Sequence, residues 1–132
     1  MIAADAEEAR KLFFENFPEG AQVYTGASVT LDTLGITVAE DGRVIVASRS
    51  GSQLGLYVSG AGKVIWVVGA QKIVCDVAEG LRRMEEYSLP LEDQRAQKAY
   101  GIHSEIAKLL IFNKEVIPGR ITLILVKEES GF

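Results

Sequence analysis

The chain has 132 residues, a length suited to one domain (1–132) with a hydrophobic core of its own. Hydrophobic residues make up 48% and charged residues 24%, a balance that excludes a disordered chain. A net charge of −4 supplies no basic face for phosphates, so no nucleic-acid partner is expected.

One cysteine and one histidine exclude a self-contained zinc or iron–sulfur site, which needs about four such ligands. Cys75 has no second cysteine for an internal disulfide, which fits a reducing, cytoplasmic setting. The N-terminal stretch has no basic region followed by an apolar core, so it does not read as a signal peptide. The apolar runs fall short of the ~20 residues of a membrane span, and none is expected.

In chain order, "AADAEEARKLFFENF" (3–17) spaces Ala6, Ala9, Phe13 and Phe17 as an amphipathic helix with acidic residues early. "PEG" stops it, and "AQVYTG" is short and β-rich. Residues 26–35 then read as a tight turn and a short helix, capped by Ser28 and stopped by Gly35. Residues 36–48 are two β-rich pieces around Asp41-Gly42, a hairpin signal. "KVIWVVG" (63–69), with Trp66, is apolar on both faces, as a central strand buried in the core would be.

Asp76 with Glu79 three residues later marks the start of a helix over 76–88, with Val77, Leu81 and Met84 as its apolar stripe. Glu79–Arg83 and Arg82–Glu86 are its expected surface pairs. Pro90 suits the first turn of a further helix over 90–101, with Gly101 as its stop and Glu92 and Asp93 explained by the helix dipole. Residues 108–113 and 120–128 complete the strands. Helices alternating with apolar strands predict an α/β fold with a mixed, largely parallel sheet flanked by helices.

Three glycine-containing turns carry the candidate ligand site: "TGAS" (25–28), "SGSQ" (50–53) and "GAQK" (69–72). Small residues admit ligand oxygens to the backbone, and successive N–H groups attract an anion. Gly26, Ser28, Thr30, Ser50, Gly51, Ser52, Gln53, Gly69 and Gln71 would contribute backbone or side-chain hydrogen bonds, and Lys72 a cation. The competing reading is that Gly and Ser only build tight turns and caps. His103 reads as a surface or capping residue ahead of a general base, and Cys75 as a buried, inert thiol. No nucleophile–base–orienter set emerges, and the catalytic residues stay unassigned.

"SGSQLGLYVSGAGKVIWVVGAQKIV", "YSLPLEDQRAQKAYG", "NKEVIPGRITLILVKEESGF" and "PEGAQVYTGASVTLDTLG" together resemble the LUD (lactate-utilization) domain family, the LutC/YkgG-like proteins. The closing pattern rests on Pro118, Gly119, Arg120, Thr122, Leu125, Val126, Gly131 and Phe132. The resemblance implies a fold like that of the NagB/RpiA/CoA-transferase superfamily, in which turns analogous to "TGAS" and "SGSQ" line a cleft for a small anionic metabolite. It also implies a part in bacterial oxidation of lactate to pyruvate alongside iron–sulfur partner proteins. This chain would bind no cofactor itself, the clusters residing in those partners.

Two departures stand out. Gly35 runs directly into Ile36, where members of the family carry a substantial further segment, and Leu56 stands where Pro is expected. Either the domain is naturally short or the sequence omits that segment; a short version, with one side of its cleft open, favours assembly with a partner, and its exposed apolar surface favours a homodimer. The alternatives are a self-contained enzyme acting on a phosphorylated sugar or acyl-CoA, and a non-catalytic metabolite-binding module.

Overall fold

The computed structural model describes residues 1–17, 19–20, 33–129 and 132. Its strands form two sheets. In the first, β1 (Ile2–Ala3), β7 (Ile121–Val126) and β4 (Val64–Gly69) lie in the order β1-β7-β4 and are parallel throughout. In the second, β5 (Ile73–Val74), β2 (Thr33–Ala39), β3 (Val44–Ser48) and β6 (Lys108–Phe112) lie in the order β5-β2-β3-β6. There β5 runs parallel to β2, and the other two pairings are antiparallel.

Side-chain alternation along the strands explains the layering. Val64, Trp66 and Val68 of β4 meet Val38, Val44 and Val46 of β2 and β3, so the two sheets share one core. Trp66 packs edge-on between Tyr57 and Phe112, with ring centroids 5.4 and 5.2 Å away. On the far side of the first sheet, α1 (Ala6–Glu15) lays Ala9, Leu12 and Phe13 over Ala3, Ile124 and Val126. On the far side of the second, Val77, Leu81, Met84 and Leu89 cover Ile45 and Ala47. The fold is therefore α/β, with mixed strand pairing and helices on the outer faces. Among the described residues no helix is long and apolar enough to cross a membrane.

The local signals that form these elements are visible in atomic detail. The Asp5 carboxylate caps α1 by accepting from Glu8 N at 2.9 Å, and Glu8 reaches back to accept from Ala4 N at 2.7 Å. The hairpin of β2 and β3 closes through Gly42, whose N–H bonds to Ala39 O at 2.9 Å with φ at 90°. Asp76 caps α2 (Val77–Arg83) by accepting from Glu79 N at 2.8 Å.

Several expectations are corrected. Gly35 does not stop a helix: it lies inside β2, at a bulge between Thr33 and Gly35, with φ at 119°. The turn and short helix expected over 26–32, like the "AQVYTG" segment, lie outside the described residues. The central strand of the first sheet is β7, whereas β4 pairs only with β7 among the described residues and leaves Val67 45% exposed. Glu79 pairs with Arg82 at 2.7 Å, three residues on, so neither expected surface pair is the one formed.

The expected pair of helices is one helical run from Val77 to Tyr100: α2, a π-helical turn at Met84–Ser88, and α3 (Leu89–Tyr100). Pro90 has no N–H and would press on the carbonyl four residues before it in a regular helix. Widening the preceding turn, where Leu89 N bonds to Met84 O, lets the helix continue. Glu92 is consequently in mid-helix, only 4% exposed, and is neutralised by Arg95 at 2.6 Å instead of by a helix dipole. Gly101 ends the run in the left-handed region, as expected, with its N–H on Gln97 O at 2.9 Å.

Arg120, 5% exposed, fastens the connections between the sheets. Its guanidinium donates to Ala61 O at 2.8 Å, to Val58 O at 2.9 Å and to Tyr57 O, all at or just beyond a π-helical turn over Leu56–Gly60. Nε donates to the Glu115 carboxylate at 2.7 Å. Arg120→Met strands those acceptors and is expected to lower unfolding free energy by about 3–5 kcal/mol in urea titration; Glu115→Gln, which keeps the guanidinium, should lose less.

Gly80 of α2 is a close-approach glycine. A Cβ there would lie 2.3 Å from Ile45 Cδ1, and Ile45 is fully buried. Gly80→Ala should cost about 1–3 kcal/mol by overpacking. Adding Ile45→Val, which removes that methyl, should recover part of the loss in the same assay.

Candidate functional site

Of the three turns, "TGAS" with Gly26, Ser28 and Thr30 lies outside the described residues. The other two meet the second sheet at separate levels. Ser48 pairs with Thr33, and Ile73 with Val38. Five residues of β2 separate those pairings, about 17 Å of strand.

The "SGSQ" turn closes on itself beneath β3. Gly51 N donates to Ser48 Oγ at 2.8 Å, and Ser52 N donates to Ser50 Oγ at 3.2 Å. Ser48 and Gln53 are both fully buried, with Ser48 Oγ 3.2 Å from Gln53 Oε1. Gly51 takes φ at 79°, and a Cβ there would meet the Lys108 side chain at 2.3 Å. Two of the N–H groups that an anion would need are therefore already bonded within the turn.

The second turn supplies a different chemistry. Gly69 ends β4 and is buried, and Ala70–Lys72 form a single 3₁₀ turn that carries the chain from the first sheet into β5 of the second. Carboxyl ends of parallel strands are where open α/β sheets take ligands. Lys72 is half-buried there, and its pKa is pushed below the ordinary 10.5 by desolvation first and then by the positive charge of Arg83.

Sequence reasoning named Lys72 but assigned Arg83 to Glu79. With Glu79 held by Arg82, Arg83 turns to other partners. It donates to Ser88 Oγ at 3.0 Å and Phe132 O at 3.4 Å, and its guanidinium lies 4.9 Å from the Tyr87 ring centroid. Ser88 is 1% exposed. Lys72 and Arg83 are both partly buried, in a corner where the positive charge of Arg83 adds to desolvation in lowering the Lys72 pKa. A carboxylate or phosphate placed between two such cations would offset their repulsion.

His103 is not part of this corner. Its side chain is 82% exposed and stands 2.8 Å from Gln97 Nε2 and 3.2 Å from Asp93 Oδ1. Asp93 also accepts from Ser104 N at 2.7 Å, and that bond, ahead of the His103 and Gln97 contacts, holds its carboxyl below the usual aspartate value. The group ties the segment after α3 back onto that helix, and His103 is a surface residue, as expected. Cys75 is exposed, contrary to the buried thiol expected, because it immediately precedes the Asp76 cap at the surface. Among the described residues no cluster of three or more His, Cys, Asp or Glu side chains is arranged to hold a metal. A shallow apolar cleft of about 380 Å³ between α1 and the first sheet, bordered by Phe13, Phe14 and Val67, contains none of the sequence-predicted site residues.

This geometry defines an α/β protein with a cationic corner at the carboxyl end of a parallel strand. The LUD domain model matches residues 35–126, and the chain belongs to the LUD domain family. No curated protein and no solved structure matches it.

The Lys72 environment sets a pH dependence. The folded chain holds that proton less tightly than the unfolded chain, so just below 10.5 the unfolded state carries more protons. Stability contributed by this residue therefore rises with pH through that window. Lys72→Met is expected to raise the urea midpoint at neutral pH and to flatten the alkaline rise.

Proposed function

We propose that this chain is a LUD-type component of lactate oxidation, binding a small carboxylate metabolite while iron–sulfur partner proteins carry the electrons. The match over residues 35–126 carries this reading, since LUD domains occur in lactate-utilization proteins. The chemistry of the corner supports it. A 2-hydroxy or 2-oxo carboxylate would accept from the Arg83 fork and from Lys72. The single cysteine agrees with clusters residing elsewhere.

In this reading the chain orients the substrate's carboxylate, and the partners supply the redox centre. The "SGSQ" turn fixes the shape of the chain beyond β3.

The test combines calorimetric titration with genetics. Lactate or pyruvate should bind the purified chain without turnover. Arg83→Ala and Lys72→Ala should each weaken that binding about tenfold or more, as loss of a charge-assisted hydrogen bond does. Deletion of the gene should abolish growth on lactate. Normal growth on lactate after deletion would overturn the assignment to lactate oxidation. Unaltered affinity in both variants would relocate the ligand away from this corner.

A further inference from the structure

β6 forms one end of the four-stranded sheet, bonded to β3 on one side and to no described strand on the other. Alternate N–H and C=O groups along such an edge face outward, and natural proteins normally shield them with Pro, bulges, short length or charge. Few of those devices are present. The strand sequence Lys108–Phe112 contains no Pro or Gly, and its register against β3 continues from Ser48/Lys108 to Val44/Phe112 without a bulge. The one charge, Lys108, folds over the turn after β3, with its stem over Gly51 and Nζ 3.4 Å from Arg49 O.

The side chains point the same way. Leu109 and Ile111 sit opposite Ala47 and Ile45 on the face covered by the long helix. Ala47 and Ile45 are fully buried, but one strand further out Leu109 is 41% and Ile111 37% exposed. The apolar row therefore continues past the helix to the sheet edge.

We propose that β6 pairs antiparallel with β6 of a second copy of this chain, about a two-fold axis through Leu110, joining two four-stranded sheets into one of eight. The occupant is a second copy because the strand is complementary to itself in that register. Leu109 falls opposite the partner's Ile111 and Ile111 opposite the partner's Leu109, so each exposed apolar side chain covers another. Lys108 falls opposite the partner's Phe112, and no like charges within the strand oppose each other. The pairing satisfies the outward backbone groups in the same step. It is independent of the corner at Lys72 and of the ligand bound there.

Light scattering after size exclusion, with circular dichroism to confirm folding, tests the register as well as the association. The unsubstituted chain should run at twice its 14.3 kDa mass. L109K/I111K places like charges opposite each other at both positions and should run as a single chain. L109K/I111E introduces as many charged residues but sets opposite signs across the two-fold, and should stay dimeric. A single-chain mass for the unsubstituted protein, or a dimer that survives L109K/I111K, overturns the proposal. A folded, monomeric L109K/I111E overturns the register about Leu110.

Discussion

The buried guanidinium of Arg120 is the contact on which the arrangement of the two sheets depends. The chain passes from the second sheet to the first twice, once between β3 and β4 and again between β6 and β7. Those passages lie side by side, and Arg120 joins them: it belongs to the later one and donates to three carbonyls of the earlier one. Carbonyls at the end of a helical turn have no partner within it, and burying them unpaired is costly. One rigid, multidentate donor satisfies them together. Lysine, with a single point of charge, would not reach three acceptors and a carboxylate at once.

What was legible in the sequence follows the range of the interactions involved. The Asp5 and Asp76 caps and the Gly42 and Gly101 turns are decided within three or four residues, so their patterns can be read directly. The position of β4 was not legible. A strand apolar on both faces reads as central, yet β4 earns that pattern by facing a second sheet on one side and α1 on the other. Gly35 looked like a helix stop because a left-handed glycine serves a helix end and a β-bulge equally well. Pro90 looked like a helix start because nothing local announces that a preceding turn will widen to accept it.

The candidate site shows the same division. Lys72 was recognisable from its place after a strand, but Arg83 was not, since an i,i+4 acid offered it a ready partner. Competition decided the outcome: Arg82 takes Glu79 through both carboxylate oxygens, and Arg83 turns to Ser88. The Gly/Ser turn promised free N–H groups, whereas the hydroxyls of Ser48 and Ser50 occupy two of them. Residue types showed which groups were available, and tertiary placement determined which were already engaged.

The widened turn at Met84–Ser88 also governs phase. Along the helical run the buried positions are Gly80, Met84, Ser88, Glu92 and Ala96, a strict repeat of four. In an unbroken α-helix such a repeat drifts by about 40° per step, about 160° from Gly80 to Ala96, and would carry the last of them round toward solvent. A π-helical turn holds one additional residue and takes back about 100° of that drift. The remaining ~60° fits within the width of an ordinary buried stripe. A four-residue repeat and a proline that forbids a tight turn are thus two halves of one timing mechanism, in which the proline places the correction at the point where the repeat requires it.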